Sequence, residues 1–114
     1  MNLLKGGGFL ERFTWKARLL PGARDEYIRR HNEVWPEMTE LLNSAGIHNY
    51  SIWIVGDEIF GYYEAGKGVE FASKVQAQSP VVDRWNEYMK DVMVTDFDPE
   101  TGTHYQLQQV FFHP

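Results

Sequence analysis

The apolar positions of this chain recur at helical spacing in some stretches and at strand spacing in those between. Arg12 to Leu20 reads as a first strand, and Pro21-Gly22 is a turn pair that ends a strand and can open a helix. From about Gly22 a helix is predicted. At 100° per residue, Tyr27, Ile28, His31, Val34, Trp35, Met38, Leu41, Leu42 and Ala45 share an arc of about 140° with Ala23. Glu26, Arg29, Arg30, Glu33, Glu37 and Glu40 lie outside that arc, and Arg24 is a stray charge within it. Pro36 has no amide hydrogen to offer the carbonyl of Asn32, and its ring crowds that carbonyl, so the helix must kink or restart there. Gly46 supplies a C-terminal cap.

Ile47 to Val55 and Glu58 to Glu64, both rich in β-branched and aromatic residues, flank the turn Gly56-Asp57 and predict a β-hairpin. Strict alternation would point His48, Tyr50 and Ile52 one way, and Asn49, Ser51 and Trp53 the other. A modest helix follows over Val69 to Gln78. Ser79 then serves as N-cap with Pro80 at the first helical position. Val81 to Met93 puts Val81, Val82, Trp85, Tyr88, Met89, Val92 and Met93 on one arc of about 140°, with Asn86 at its edge. Thr95 to Thr103 reads as a loop and His104 to His113 as a final strand.

This order is the split βαβ arrangement of ferredoxin-like folds: a four-stranded antiparallel sheet with helices on one face, in the α+β class. The other face needs a cover. Trp53 or Tyr50, Phe60 or Tyr63, and Leu107 or Phe111 must lie there, depending on register. A second copy of the sheet is the simplest cover, so a homodimer closed into a dimeric α/β-barrel is expected.

The length of 114 residues suits one domain, assigned here to residues 10–114. Gly6-Gly7-Gly8 places a flexible lead-in over residues 1–9. A net charge of -5, with no basic cluster longer than Arg29-Arg30, argues against a nucleic-acid partner. The chain has no cysteine, which removes disulfides and thiolate chemistry and fits the reducing cytoplasm. No signal peptide or apolar run of spanning length is evident, so no membrane partner is expected.

His31 lies near the middle of the first helical arc, one turn from Tyr27 and one turn from Trp35. From spacing alone it reads first as a core histidine bonded to a neighbour, with a general acid or base that works near neutral pH as the sharper alternative. Trp85 is a core residue or the flat wall of a sugar site, with Asn86 and Arg84 nearby to bond hydroxyls. The four histidines show no metal-binding spacing, no phosphate loop follows a strand, and no serine stands in a nucleophile elbow. Proton transfer on a small polar ligand, without metal or cofactor, is what the residues leave.

EYIRRHNEVWPEM, HNYSIW, RWNEYMKDVM and LQQVFF occur in this order. Together they resemble the L-rhamnose mutarotase family, and the likeness runs from about Arg12 to Pro114. It implies a dimeric ferredoxin-like protein that interconverts the α and β anomers of this monosaccharide without a cofactor. By the same resemblance His31 is the proton-donating histidine, Tyr27 and Tyr50 are the substrate tyrosines, and Trp85 is the first of a tryptophan pair. Asn86 stands where the second tryptophan would be. That exchange of a ring for an amide opens the sugar's identity to an L-fucose-like or other deoxy-sugar. Glu64 is the candidate for the partner base. Two other readings stand beside this one: a cofactor-free monooxygenase on a dimeric barrel, and a sugar-binding module without catalysis.

Overall fold

Side chains along Glu11–Leu19 (β1) are buried on alternate positions from Trp15 through Ala17 to Leu19, the signature of a strand with one face on a core. The computed structural model describes residues 10–114; the lead-in expected over residues 1–9 lies outside them. Strand β1 is central. It pairs antiparallel with Glu58–Ala65 (β3) along most of its length and with Met93–Thr95 (β4) at its far end. Ile47–Val55 (β2) completes the sheet on the outer side of β3, giving the order β2-β3-β1-β4. This four-stranded antiparallel sheet with its helices is the α+β, ferredoxin-like arrangement expected from the element order.

The helices Arg24–Asn32 (α1), Pro36–Ser44 (α2), Val69–Ala77 (α3) and Pro80–Met89 (α4) cover one face. Trp15, Ala17, Leu19 and Ile59 from the sheet meet Ala23 at the N-cap of α1, Tyr27 of α1 and Met89 of α4 in one core cluster. A second cluster joins Ile47, Tyr63 and Ala65 to Ala45 and to Ala72 of α3. Ile59 has no accessible surface, and burying such a side chain contributes roughly 1.5–3 kcal/mol.

Pro36 divides the long helix in two. It takes the first position of α2, where an amide hydrogen is not needed, and Trp35 before it is extended at φ -68° and ψ 141°. The chain therefore turns between α1 and α2, and Trp35 leaves the direction that a continuous helix would give it. Ser79 caps α4 as expected, its Oγ accepting from the amides of Val81 at 3.1 Å and Val82 at 3.3 Å.

Three expectations are corrected. Strict alternation along β2 fails at Asn49, which has φ +50°, and the pairing with β3 slips between His48 and Ser51. This bulge keeps Tyr50 and Ile52 on the helix side and leaves His48 on the other, paired with Glu64. The last helix stops at Met89, and the strand that follows is Met93–Thr95. The segment from His104 to His113 is not a strand; its one ladder contact is the bridge of His104 to Phe97. Strand β4 already takes the edge of β1 at Ala17 to Leu19, so the segment passes the open face instead. There the Leu107 amide donates to Thr14 Oγ1 at 2.9 Å, and the Arg12 guanidinium stands 4.4 Å from the Phe112 ring. The open face also carries Trp53, 67% exposed, and Phe60, paired with Lys16.

Candidate active site

Helix α1 sets Tyr27 and His31 one turn apart, with ring centroids 4.3 Å from each other. The His31 Nδ1 lies 3.0 Å from the Tyr27 carbonyl oxygen. A carbonyl only accepts, so Nδ1 carries the proton and the neutral ring leaves Nε2 as a free acceptor. Partial burial lowers the His31 pKa from the ordinary 6.5, partly opposed by that backbone hydrogen bond. The imidazole is thus neutral at pH 7.

Trp85 reaches the same ring from α4, edge-on with centroids 5.4 Å apart. Trp35 stands 5.2 Å from Trp85 and 5.5 Å from Tyr88, which completes an aromatic wall around His31. Sequence reasoning did not give Trp35 and Tyr88 a place in the site. The signal was Pro36, which starts a new helix and so turns Trp35 toward α4.

Arg30 holds α1 against the end of α4. Its Nη1 donates to the Tyr88 carbonyl at 2.6 Å and to Asp91 Oδ1 at 2.8 Å, while its Nε donates to Glu26 Oε2 at 2.7 Å. The guanidinium also lies 4.4 Å from the Tyr88 ring centroid. Hydrogen bonds from Arg29 and Arg30 hold the Glu26 carboxyl down at about 2.

The two phenols are in the interior behind His31. Tyr27 is 2% exposed and its hydroxyl has no hydrogen-bond partner among the described residues. Burial, with a smaller contribution from Tyr50, raises its pKa far above the usual phenol range. Tyr50 accepts from Trp15 Nε1 at 3.0 Å, and burial pushes its pKa up to about 12. Both remain protonated across the physiological range.

The structure therefore gathers Tyr27, His31 and Trp85, with Tyr50 beneath them in the same core. Asn86 is exposed on α4 beside Trp85 and makes no side-chain hydrogen bond among the described residues. Glu64 does not join the group. It faces the opposite side of the sheet, accepting from Asn49 Nδ2 and from the Tyr62 hydroxyl, each at 2.8 Å. A cavity of about 430 Å³ lined by Arg12, Phe13, Val69, Ser73 and His104 lies elsewhere and includes none of the four gathered residues. The aromatic cluster, with its free imidazole nitrogen and unpartnered phenol, is the better candidate for proton chemistry. Among the described residues no three His, Asp or Glu side chains stand close enough to share a metal ion.

A family model described as L-rhamnose mutarotase matches residues 12–113. The chain belongs to the L-rhamnose mutarotase family. It is 38% identical over 107 residues to the L-rhamnose mutarotase of Rhizobium johnstonii, a match that spans 92% of this chain and 98% of the relative. To the L-rhamnose mutarotase of Burkholderia ambifaria it is 40% identical over 93 residues, spanning 78% and 86%. The crystal structure of L-rhamnose mutarotase FA22100 from Formosa agariphila superposes with a TM-score of 0.73 at 27% identity, covering 91% of this chain and 99% of that one. These family members are isomerases acting on a carbohydrate by name, and none of them favours the monooxygenase or the binding-module reading.

Proposed function

We propose that this protein interconverts the α and β anomers of L-rhamnose or a closely related deoxy-sugar, with His31 moving the proton. The observation that carries the reading is the His31 ring itself: Nδ1 is tied to the Tyr27 carbonyl, Nε2 is free, and the ring is walled by Trp85 and Tyr27.

Anomer exchange opens and recloses a hemiacetal. His31 Nε2 takes the proton of the anomeric hydroxyl; the O1–C1 bond becomes a carbonyl as the C1–O5 bond breaks, and its electron pair goes to O5. The ring oxygen and O1 are both bonded to C1, so the imidazolium formed is within reach of O5 and delivers the proton there. Rotation about C1–C2 presents the other face of the aldehyde, and closure reverses each step. The proton-donating role implied for His31 is thus the second half of a shuttle that begins with the neutral ring. Tyr27 and Tyr50, fixed as protonated phenols, hold sugar hydroxyls, and Trp85 packs on the C–H face. Asn86 at the exposed edge of that wall contacts a substituent at the rim and tunes which deoxy-sugar is preferred.

The working form is a homodimer closed across the open sheet face. Trp53, Val55 and the apolar side chains of the last segment are exposed there, Phe111 at 80%, a cluster that a monomer would leave in water. A chain without cysteine, whose described helices are all too short and polar to cross a membrane, suits the cytoplasm.

Magnetisation-exchange NMR on the anomeric protons of L-rhamnose, then of L-fucose, tests the activity. Exchange accelerated by protein is expected, with L-rhamnose and L-fucose ranked by rate. Sugar binding with exchange left at its spontaneous rate would make the protein a binding module.

A further inference from the structure

Trp15 and Gly61 are cross-strand partners in β1 and β3. The indole lies directly over the glycine: a Cβ on Gly61 would stand 2.0 Å from Trp15 Cε2 and 2.2 Å from Nε1. No side chain fits there while the indole keeps its place. Gly61 is not among the residues with positive φ, so what the position requires is space rather than backbone freedom. The indole, seated in this way, donates to the Tyr50 hydroxyl oxygen at 3.0 Å.

An indole N–H can only donate. With one lone pair of Tyr50 so engaged, the phenol's own proton is directed elsewhere, and the bond from Trp15 is its only hydrogen bond among the described residues. The Tyr27 hydroxyl, also in the core, has no hydrogen-bond partner among the described residues. Two phenols whose protons have no acceptor among the described residues thus pack into one core, and Tyr27 lies against His31. Phenylalanine at position 15 would fill the core without holding Tyr50 in this state.

We infer that Trp15 is a positioning residue for the sugar site: seated on Gly61, it fixes the Tyr50 hydroxyl as a hydrogen-bond donor toward the ligand. The inference rests on Tyr50 touching the sugar, as proposed above. It also deepens that reading, because a fixed donor demands an acceptor. The ligand must present an oxygen to Tyr50, and a sugar deoxygenated at that position would leave a buried phenol unsatisfied.

A kinetic cycle of Trp15→Phe, Tyr50→Phe and the double variant tests this. Trp15→Phe should lower kcat/KM for L-rhamnose anomer exchange about three- to tenfold, the loss of one neutral hydrogen bond, and mostly through KM. In the Tyr50→Phe background the same change should have almost no effect. Equal losses in both backgrounds, or no loss from Trp15→Phe while Tyr50→Phe is impaired, would overturn the inference and leave Tyr50 in the site. A fully active Tyr50→Phe would remove Tyr50 from sugar binding and the inference with it. A readout independent of activity is the Trp15 indole ¹H–¹⁵N resonance, identified by its loss in Trp15→Phe. It should move in Tyr50→Phe; an unmoved resonance means there is no bond to transmit. Gly61→Ala should lower the melting temperature, and adding Trp15→Phe should restore it, whereas no recovery would contradict the seating of the indole on Gly61.

Discussion

In the mechanism proposed above, the lowered pKa of His31 fixes the form in which it begins each turnover. Burial disfavours the imidazolium, so the folded protein protonates His31 below the ordinary 6.5. Exchange catalysis should therefore decline on the acid side with a midpoint below 6.5 and hold a plateau above it, measured as kcat/KM against pH. A midpoint at or above 6.5 would contradict a neutral resting imidazole. Stability follows the same sign. The unfolded chain takes up this proton first, so the stability contributed by neutral His31 is fully present above 6.5 and is lost as pH falls through the lower folded value. His104, also lowered by burial, adds to that slope, and His31→Gln should flatten only part of it in denaturant titrations. At the rim, Asn86→Trp should change the ratio of rates on L-rhamnose and L-fucose; an unaltered ratio would remove Asn86 from sugar selection. Of the candidate cluster, Tyr27, His31 and Trp85 were placed on apolar arcs by helical spacing, and the structure brings their rings together; their proposed roles come from the family resemblance. The Trp15 bond to Tyr50 was not, since cross-strand register and a bulge at Asn49 decide it.

Between elements, the site depends on how α1 and α4 meet. Arg30 bridges them through the Tyr88 carbonyl and Asp91, and its side chain is only 10% exposed. Arg30→Met keeps the length and apolar stem but gives up the bridge. Because His31 and Trp85 stand on the two helices it joins, KM for the sugar should rise severalfold, with a lower melting temperature. An unchanged KM would show that aromatic packing alone sets the spacing. The cap on α4 makes a simpler case: Ser79→Ala leaves the Val81 and Val82 amides without the hydroxyl and should lower stability by about 1 kcal/mol in chemical denaturation. Local signals of this kind were readable. Ser79-Pro80, Gly56-Asp57 and Pro36 each marked a boundary through backbone chemistry that does not depend on the rest of the fold. The final strand was misread because alternation in HYQLQQVFFH reports that one side of the segment wants burial, not that a sheet edge is free to receive it.

For the whole molecule, the open sheet face is the interface of the homodimer proposed above. Trp53 and Phe60 stand on it while Tyr50 and Tyr63 pack beneath the helices, a division that sequence left open because it turns on register. Trp53→Glu would place a charge in the middle of the proposed interface and should convert the dimer to a monomer by light scattering; a dimer of unchanged mass would place the interface elsewhere. The proposed anomer exchange turns on one proton carrier, and the most direct test is the anomeric exchange rate of L-rhamnose with wild-type protein and with His31→Ala, compared at equal concentrations of folded protein. Wild type should accelerate exchange, and the variant should be slower by about 10²- to 10⁴-fold while keeping its fold by circular dichroism and still binding the sugar. A folded His31→Ala protein that exchanges the anomers at the wild-type rate would contradict the mechanism.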